Sequence, residues 1–379
     1  MRDTGYRILA EGVTVSNDTW TTGLANHDLI IGPTGGGKTR SYVLPNLLNS
    51  KESFLVVDAK GNLKRQVGGI LERQGFRVLE LDFTNLMHSP WGYNPLRFIR
   101  WDSERKCWNE QDIITVAAAL VPVTSQTDPF WDLSARNYAE ALIGYTLDNL
   151  PREEHTLVSV AKLFAEAETG VLDELMREYC TICPDSFAAM RWKFFQGGRK
   201  ADKTYSSILA ILSQKLSNYS FGGVQQLFTN QNQIDFAAIS QEPTAVFVHV
   251  SDCDFSLSNL TSLFYTQALQ SVTQLDGLYG HDKAMTIIDN CDHLLYLGGQ
   301  SVETARFIGV KANRPASAIL NLPLGKAWLF ERGALPREVK KYDLTRHPLY
   351  RQLPEYAAQR TVPERETVEE PQLMAAAGM

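Results

Sequence analysis

HDLIIGPTGGGKT, residues 27–39, is the most informative stretch of the sequence. Residues 27–31 read as a short strand that runs into a glycine turn, and residues 39–49 read as a helix. Residues 32–39 fit the pattern GxxxxGK(S/T) at every required position, between a strand and a helix as the pattern demands. Three consecutive glycines allow backbone N–H groups to surround phosphate oxygens, and the helix N-terminus adds partial positive charge. We therefore predict a phosphate-binding P-loop.

The chemistry of this loop predicts a nucleotide site. Lys38 is expected to reach the β- and γ-phosphates and the Thr39 hydroxyl to ligate Mg²⁺, so that ATP and Mg²⁺ are the expected cofactors. The alternative is a glycine-rich turn that binds nothing, but motif and context together favour the nucleotide site. The predicted site residues are Gly32, Pro33, Thr34, Gly35, Gly36, Gly37, Lys38, Thr39 and Arg40.

Hydrolysis needs a second group, an acid at the end of another strand that holds the magnesium shell. Asp58, the pair Asp252 and Asp254, and Asp289 each follow an apolar run. A solvated acid at the end of a strand or helix is the favoured interpretation of all of them. Asp58 is nevertheless a candidate magnesium ligand, and the catalytic acid is unassigned.

The order of the patterns predicts the organisation of the chain. A strand over 54–57, a helix over 61–74 and a strand over 77–81 follow the P-loop helix, which predicts a parallel sheet with right-handed crossovers. Residues 109–239 carry apolar residues at helical spacing, which predicts an inserted all-helical domain in an α/β protein. Strand patterns return at 244–250, 293–297 and 327–330. The predicted domains are the first part of a nucleotide-binding domain (1–108), an all-α insertion (109–240), the second part of the nucleotide-binding domain (241–355) and a disordered tail (356–379).

The composition is that of an ordinary globular protein of 379 residues with a formal net charge of −6. That charge argues against a surface covered with nucleic-acid contacts but allows a local basic patch.

The longest apolar stretch, residues 116–123, is far shorter than the roughly 18 residues of a membrane-spanning helix, and the first residues lack a signal core. Only Cys180 and Cys183 form a CxxC pair, so reduced thiols are preferred to a metal site. We expect a location in the cytoplasm or at the cytoplasmic face of the plasma membrane.

The densest basic and aromatic cluster is RWKFFQGGRKADK, residues 191–203. Its positive charges can offset phosphates, and its aromatic rings can stack bases. The alternative is a basic helix end whose Trp and Phe belong to the core, and this is favoured because basic runs are usually solvated faces. A weaker second patch consists of Lys311, Arg314 and the run 337–346. The candidate nucleic-acid contacts are Arg191, Lys193, Arg199, Lys200 and Lys203.

Several longer segments resemble a known family when they are taken in order. They include GPTGGGKTRSYVLPNLL (32–48), VVDAKGNL (56–63), WGYNPLRFI (91–99), DPFWDLSARNYAEALI (128–143) and NCDHLLYLGGQSVETARFIG (290–309). Over about residues 6–356, the chain looks like a conjugative type IV secretion coupling protein of the TraG type. In that family a ring of RecA-like ATPase subunits, usually hexameric, links a DNA-processing complex to a secretion channel. The resemblance implies a RecA-like P-loop sheet domain with an inserted all-helical domain.

The resemblance also implies a function and partners. We expect an ATP-binding motor for conjugative DNA transfer that handles single-stranded DNA with its relaxase, contacts the channel components and forms a homo-hexamer. Contact with the membrane would then be made through partners. Arg306 and Arg332 are candidate arginine fingers, although a surface ion pair is the favoured interpretation of both.

Three departures from the family pattern bear on activity. The family normally has an N-terminal membrane anchor, which this sequence does not show before its P-loop strand. The family's Asp-Pro-Lys-Gly is here Asp58-Ala59-Lys60-Gly61, and the family's Walker B segment is missing near Leu269 and Gln270. Such an internal deletion would remove a strand close to the P-loop strand. The alternative function is therefore a degenerate or truncated member that binds nucleotide or partners without hydrolysis. A small-molecule kinase would share the P-loop, but no acceptor motif is visible.

Overall fold

A computed structural model describes residues 5–123, 128–167, 169–197, 202–251, 253–254, 256–272 and 291–361. The chain divides into two units. The P-loop unit comprises residues 1–50 and 285–379, and the helical unit comprises residues 51–284. In these described ranges, no helix combines the length and the apolar character that crossing a membrane requires.

The strands and helices are numbered in chain order. The strands are β1 (Tyr6–Ala10), β2 (Val13–Ser16), β3 (Asp28–Ile31), β4 (Phe54–Val57), β5 (Arg77–Asp82), β6 (Trp101–Asp102), β7 (Cys107–Trp108), β8 (Thr244–His249), β9 (His293–Tyr296), β10 (Lys326–Glu331) and β11 (Arg337–Lys340). The helices are α1 (Thr19–Thr22), α2 (Leu44–Asn49), α3 (Leu63–Arg73), α4 (Glu110–Leu120), α5 (Phe130–Asn149), α6 (Leu157–Ala165), α7 (Val171–Ile182), α8 (Phe187–Gly197), α9 (Asp202–Ser217), α10 (Gly222–Thr229), α11 (Phe236–Gln241), α12 (Ser258–Val272), α13 (Val302–Ala312), α14 (Ala316–Leu320) and α15 (Pro354–Thr361).

The P-loop unit is built on a sheet with the strand order β11-β10-β9-β3. β3 runs parallel to β9, and β9, β10 and β11 are joined antiparallel. Successive side chains of a strand point to opposite faces of the sheet, so the side chains of β9 pack into two apolar clusters. Leu294 and Tyr296 pack with α13 and α14 on one face, whereas Leu295 packs with Leu9 and Leu329 on the other. The P-loop strand therefore rests on a neighbour that is buried on both faces.

The helical unit holds a second sheet, with the order β4-β8-β5 and parallel pairing throughout. The sequence predicts one parallel sheet running from the P-loop strand through residues 54–57 and 77–81. In the structure β8, distant in sequence, lies between β4 and β5, and β3 belongs to the other ladder. Among the described residues β3 pairs with β9 only. No described strand forms hydrogen bonds with both β3 and β4, so these two strands belong to different hydrogen-bonded sheets.

The predicted helical region forms helices α4 to α11, and α4 and α6 to α9 contact the long helix α5. Gly144 of α5 allows close approach of α8, because a Cβ atom at Gly144 would lie 2.9 Å from the Cβ of Ala188. On the same interface the rings of Tyr138 and Phe195 stack at 4.0 Å between centroids. These contacts explain why the small and aromatic residues of the two helices recur at helical spacing.

The C-terminal boundary differs slightly from the predicted one. Residues 356–361, placed in the disordered tail by the sequence, complete helix α15 (Pro354–Thr361). The rest of the predicted tail, residues 362–379, lies outside the described residues.

Candidate nucleotide-binding site

The loop after β3 has the backbone that its glycines predict. Gly35 and Gly37 have φ angles of +77° and +96°, a region that side chains disfavour. The Gly36 N–H donates to the Pro33 carbonyl at 3.0 Å, and a Cβ at Gly36 would lie 2.8 Å from Pro33 Cδ. Pro33, Thr34 and Gly35 are exposed. The glycines are thus required by the shape of a loop whose tip is open to solvent.

Two lysine ammonium groups lie on this loop. Lys38 Nζ donates to the carbonyls of Gly32 at 2.5 Å and Pro33 at 2.9 Å. Lys341, directly after β11, donates from Nζ to the Gly36 carbonyl at 3.1 Å, and burial lowers the pKa of its ammonium. The sequence identified Lys38 from the motif, whereas Lys341 appeared only within a basic run. No local pattern signals Lys341, because its contact depends on the pairing of β10 with β11.

The helix after the loop begins with a widened turn. Residues Thr39–Val43 are π-helical, and the Leu44 N–H donates to the Thr39 carbonyl, five residues back. Pro45 explains the change of pitch, because its ring lacks an N–H and would clash with the carbonyl four residues earlier in a regular helix. Thr39 is exposed, so its hydroxyl is accessible for the predicted contact with Mg²⁺.

Arg40, the last residue of the predicted site, is engaged within the P-loop unit. Its Nη1 lies 2.5 Å from Glu355 Oε2 in α15. The hydrogen bond from Arg40 to Glu355 raises the pKa of the guanidinium. A direct contact between Arg40 and a nucleotide would compete with this ion pair.

The other end of β3 carries a buried charge network. Asp28 accepts hydrogen bonds from Arg7 Nε at 2.6 Å, Arg7 Nη2 at 3.2 Å and the Tyr42 hydroxyl at 2.6 Å. Nδ1 of His293, the first residue of β9, lies 2.8 Å from the same carboxylate. Burial opposes ionisation of Asp28, but hydrogen bonds from His293, Arg7 and Tyr42 outweigh it and lower its pKa. The network ties β1, β3 and β9 to Tyr42 in the turn that follows the P-loop.

A second buried acid lies at the same end of the sheet. Asp292 accepts a hydrogen bond from the Ala25 N–H at 2.6 Å, and its Oδ1 lies 3.3 Å from Arg332 Nη1. Because β3 and β9 are parallel and Asp28 starts β3, both Asp28 and Asp292 lie at the amino ends of these strands. The P-loop lies at the carboxyl end of β3. Neither acid is therefore placed next to the phosphate cradle.

Asp58, the candidate magnesium ligand, belongs to the helical unit. Its carboxylate accepts a hydrogen bond from the Leu63 N–H at 2.6 Å and so caps the start of α3, and the residue is 5% exposed. Asp254 accepts from the Ser256 N–H at 2.9 Å. Asp252 and Asp289 lie outside the described residues. A metal-binding role for Asp58 stays a prediction.

The predicted nucleic-acid cluster is largely engaged in the packing of α8. Arg191 forms an ion pair with Glu140 at 2.8 Å, and Lys193 Nζ donates to the Pro184 carbonyl at 2.9 Å. Burial raises the pKa of Glu140, and attraction from Arg191 offsets only part of this effect. Trp192 and Phe195 are core residues. Of the remaining candidates, Lys203 lies in α9, and Arg199 and Lys200 lie outside the described residues.

This loop, between a parallel strand and a helix, defines a P-loop protein of the α/β class. Residues 3–269 match the family model described as type IV secretory system conjugative DNA transfer, and residues 261–312 match the model described as the TraM recognition site of TraD and TraG. The chain belongs to the type IV secretory system conjugative DNA transfer family. The predicted resemblance to coupling proteins is thereby confirmed. The first match ends at residue 269, where the sequence places the missing segment.

Individual relatives agree with this assignment. Protein VirD4 of Rhizobium radiobacter is 24% identical over 291 residues, which are 75% of this chain and 40% of that protein. The chain thus spans less than half of that relative. The unbound conjugative coupling protein TrwBdeltaN70 is 16% identical with a TM-score of 0.62 and 89% coverage of both chains. TrwB in complex with ADP and Mg²⁺ is 15% identical with a TM-score of 0.60 and 90% coverage of both. The predicted fold class, a RecA-like P-loop sheet with helices, is confirmed.

Proposed function

We propose that this chain is an ATP-binding subunit of a coupling protein for conjugative DNA transfer through a type IV secretion system. The observation that carries the proposal is the exposed P-loop, with its three glycines and the Lys38 ammonium on the carbonyls of Gly32 and Pro33. The oxygens of a triphosphate would replace those carbonyls as hydrogen-bond acceptors of Lys38. They would also accept hydrogen bonds from the loop N–H groups. The family membership supports the cellular role.

Several finer features belong to the same proposal. Thr39 would ligate Mg²⁺, and the complex of TrwB with ADP and Mg²⁺ supports this pairing of cofactors. Single-stranded DNA with its relaxase, the channel components and five further copies of the chain would be the partners. The nucleotide-binding domain would comprise residues 1–108 and 241–355, with residues 109–240 as the helical insertion.

Calorimetry with ATP and Mg²⁺ tests the nucleotide site. Lys38→Ala is expected to lower ATP affinity at least tenfold without unfolding, because the hydrogen bonds that the structure describes for this ammonium go to loop carbonyls. The matched control is Lys51→Ala, an exposed lysine of the helical unit, which should bind ATP as the wild type does. Unchanged ATP binding by Lys38→Ala would refute the proposed site.

A second candidate function is nucleotide binding without hydrolysis. It is favoured by the positions of Asp28 and Asp292, two acids of the P-loop unit with buried side chains, at the strand ends opposite the loop. Phosphate release from ATP in the presence of single-stranded DNA separates the two candidates. Turnover that disappears in Lys38→Ala supports the motor, whereas ATP binding without turnover supports the second candidate.

A further inference from the structure

A pocket of about 630 Å³ lies in the helical unit, and none of its lining residues belongs to the candidate nucleotide site. Its lining includes two tryptophans and two arginines, contributed by the hairpin β6–β7, by the turn Pro95–Phe98 and by the turn Arg152–Glu154. The volume is in the range of pockets that hold small ligands. The residues that carry the argument are Arg97, Trp101, Trp108, Arg152, Glu153 and Asn230.

A hydrogen bond and ring contacts fix the aromatic side chains of the pocket. The Trp108 indole N–H donates to the Leu147 carbonyl at 3.0 Å, and the Trp108 ring lies edge-on to His155. Trp101 pairs with Trp108 across the hairpin, with 5.1 Å between ring centroids and an interplanar angle of 74°. Trp101 is nevertheless 49% exposed. Half of the Trp101 surface is thus open for stacking and has no partner on that side among the described residues.

The cations of the pocket are positioned but not neutralised. Buried Asn94 accepts a hydrogen bond from the Leu96 N–H at 3.1 Å and donates to the His155 carbonyl at 2.8 Å, which fixes the turn that carries Arg97. Arg97 and Arg152 are exposed, and neither guanidinium has an ion-pair partner in the described part of the chain. By contrast, nearby Arg100 is held by Asp112. Glu153 is the carboxylate among the named lining residues, so two positive charges face one negative charge.

We propose that this pocket binds single-stranded nucleic acid. A base would stack on Trp101, and the flanking phosphates would bind Arg97 and Arg152. The pocket volume, about 630 Å³, would hold part of a strand. An acidic peptide would satisfy the guanidiniums but would leave the indole surface without a flat partner, so nucleic acid is favoured. The inference rests on the proposed function only for the source of the strand in the cell.

Fluorescence anisotropy with a labelled oligothymidylate, in the absence of ATP, tests the pocket. Trp101→Ala should weaken binding about tenfold, because one base loses its stacking partner. Trp101→Phe should restore most of the affinity. Arg97→Ala and Arg152→Ala should each weaken binding and reduce the slope of log affinity against log salt by about 0.7. Glu153→Gln should tighten binding, because it removes the opposing charge.

The controls are residues of the same type outside the pocket. Trp20→Ala removes a tryptophan that is 97% exposed in the P-loop unit, and it should bind the oligonucleotide as the wild type does. Circular dichroism establishes that each variant is folded. Because the assay contains no ATP, a failure of the ATP site leaves this test intact.

Three results would overturn the inference. The first is a wild-type chain that does not bind the oligonucleotide. The second is binding of the oligonucleotide by both Trp101→Ala and Trp101→Phe as tightly as by Trp20→Ala. In the third, polyglutamate would displace the oligonucleotide from the wild type as effectively as unlabelled oligothymidylate does. That result would mean that charge alone, as in an acidic peptide, accounts for the binding.

Discussion

Asp28→Asn is the substitution whose effect the structure allows us to calculate best. The Asp28 side chain is 3% exposed, and the Arg7 side chain that pairs with it is 15% exposed. Asparagine has nearly the same shape, so the substitution removes a charge without creating a cavity. It leaves Arg7 without a counterion and weakens the hydrogen bond from Tyr42.

The expected loss of stability is about 3 kcal/mol. Removal of one partner from a buried ion pair costs about 3–5 kcal/mol. The lower end applies because the remaining exposure of Arg7 allows some solvation and because the Asn side chain can still accept one hydrogen bond. The helix turn that contains Tyr42 should also become less well ordered, so that ATP affinity falls moderately.

Urea denaturation followed by circular dichroism measures this loss at pH 7. The transitions of the two units should be fitted separately, because a chain of two units need not unfold in one step. The control is Glu338→Gln, which breaks an exposed ion pair with Lys326 and should cost less than about 1 kcal/mol.

The pH dependence gives an independent check. The pKa of Asp28 is lowered in the folded protein, so the ionised carboxylate stabilises the fold above the pKa of the unfolded chain, about 3.9. The stability difference between wild type and Asp28→Asn should be constant from pH 7 to about pH 5 and should shrink as the pH falls below about 4. A difference below about 1 kcal/mol at pH 7, or one that grows on acidification, would refute the reasoning.

Three further variants extend these tests. Gly36→Ala should lower ATP affinity at least tenfold in calorimetry, since its Cβ would lie 2.8 Å from Pro33 Cδ, whereas Gly325→Ala, with open space around it, should not. Lys341→Met should weaken ATP binding about fivefold in the same assay, because it removes an ammonium from the loop. Gly92→Ala should destabilise the helical unit by more than about 3 kcal/mol in urea denaturation, because the added Cβ would overlap a backbone carbonyl; near-wild-type stability would contradict this.

Local signals explain what the sequence predicted well. The P-loop, the strand at residues 54–57 and the helix ended by Gly75 all depend on periodicity or on glycines within a few residues. The helical region was equally clear, because α5 and its neighbours repeat apolar residues at helical spacing. These elements appear in the structure within a few residues of their predicted bounds.

Non-local features escaped prediction for a physical reason. The position of β8 between β4 and β5 depends on pairing across more than one hundred and fifty residues of sequence, which no window detects. The contact of Lys341 with the loop and the sharing of Asp28 by three partners also join distant segments. The basic and aromatic pattern around Arg191 fits both a DNA-binding surface and a packed helix. The ion pair between Arg191 and Glu140, which the sequence does not reveal, shows that the Arg191 charge is engaged within the fold.

The two lysines on the P-loop carbonyls also bear on how the loop would select a ligand. Lys38 and Lys341 donate hydrogen bonds to the carbonyls of Gly32, Pro33 and Gly36, so the proposed nucleotide would have to displace internal hydrogen bonds before it gained its own. Binding of the proposed nucleotide would thus be an exchange of hydrogen-bond acceptors, and its net free energy would be smaller than a count of phosphate contacts suggests. A ligand with fewer phosphate oxygens, such as a monophosphate, would have little advantage over the carbonyls that it replaces. Discrimination in favour of longer phosphate chains would therefore arise from these internal hydrogen bonds.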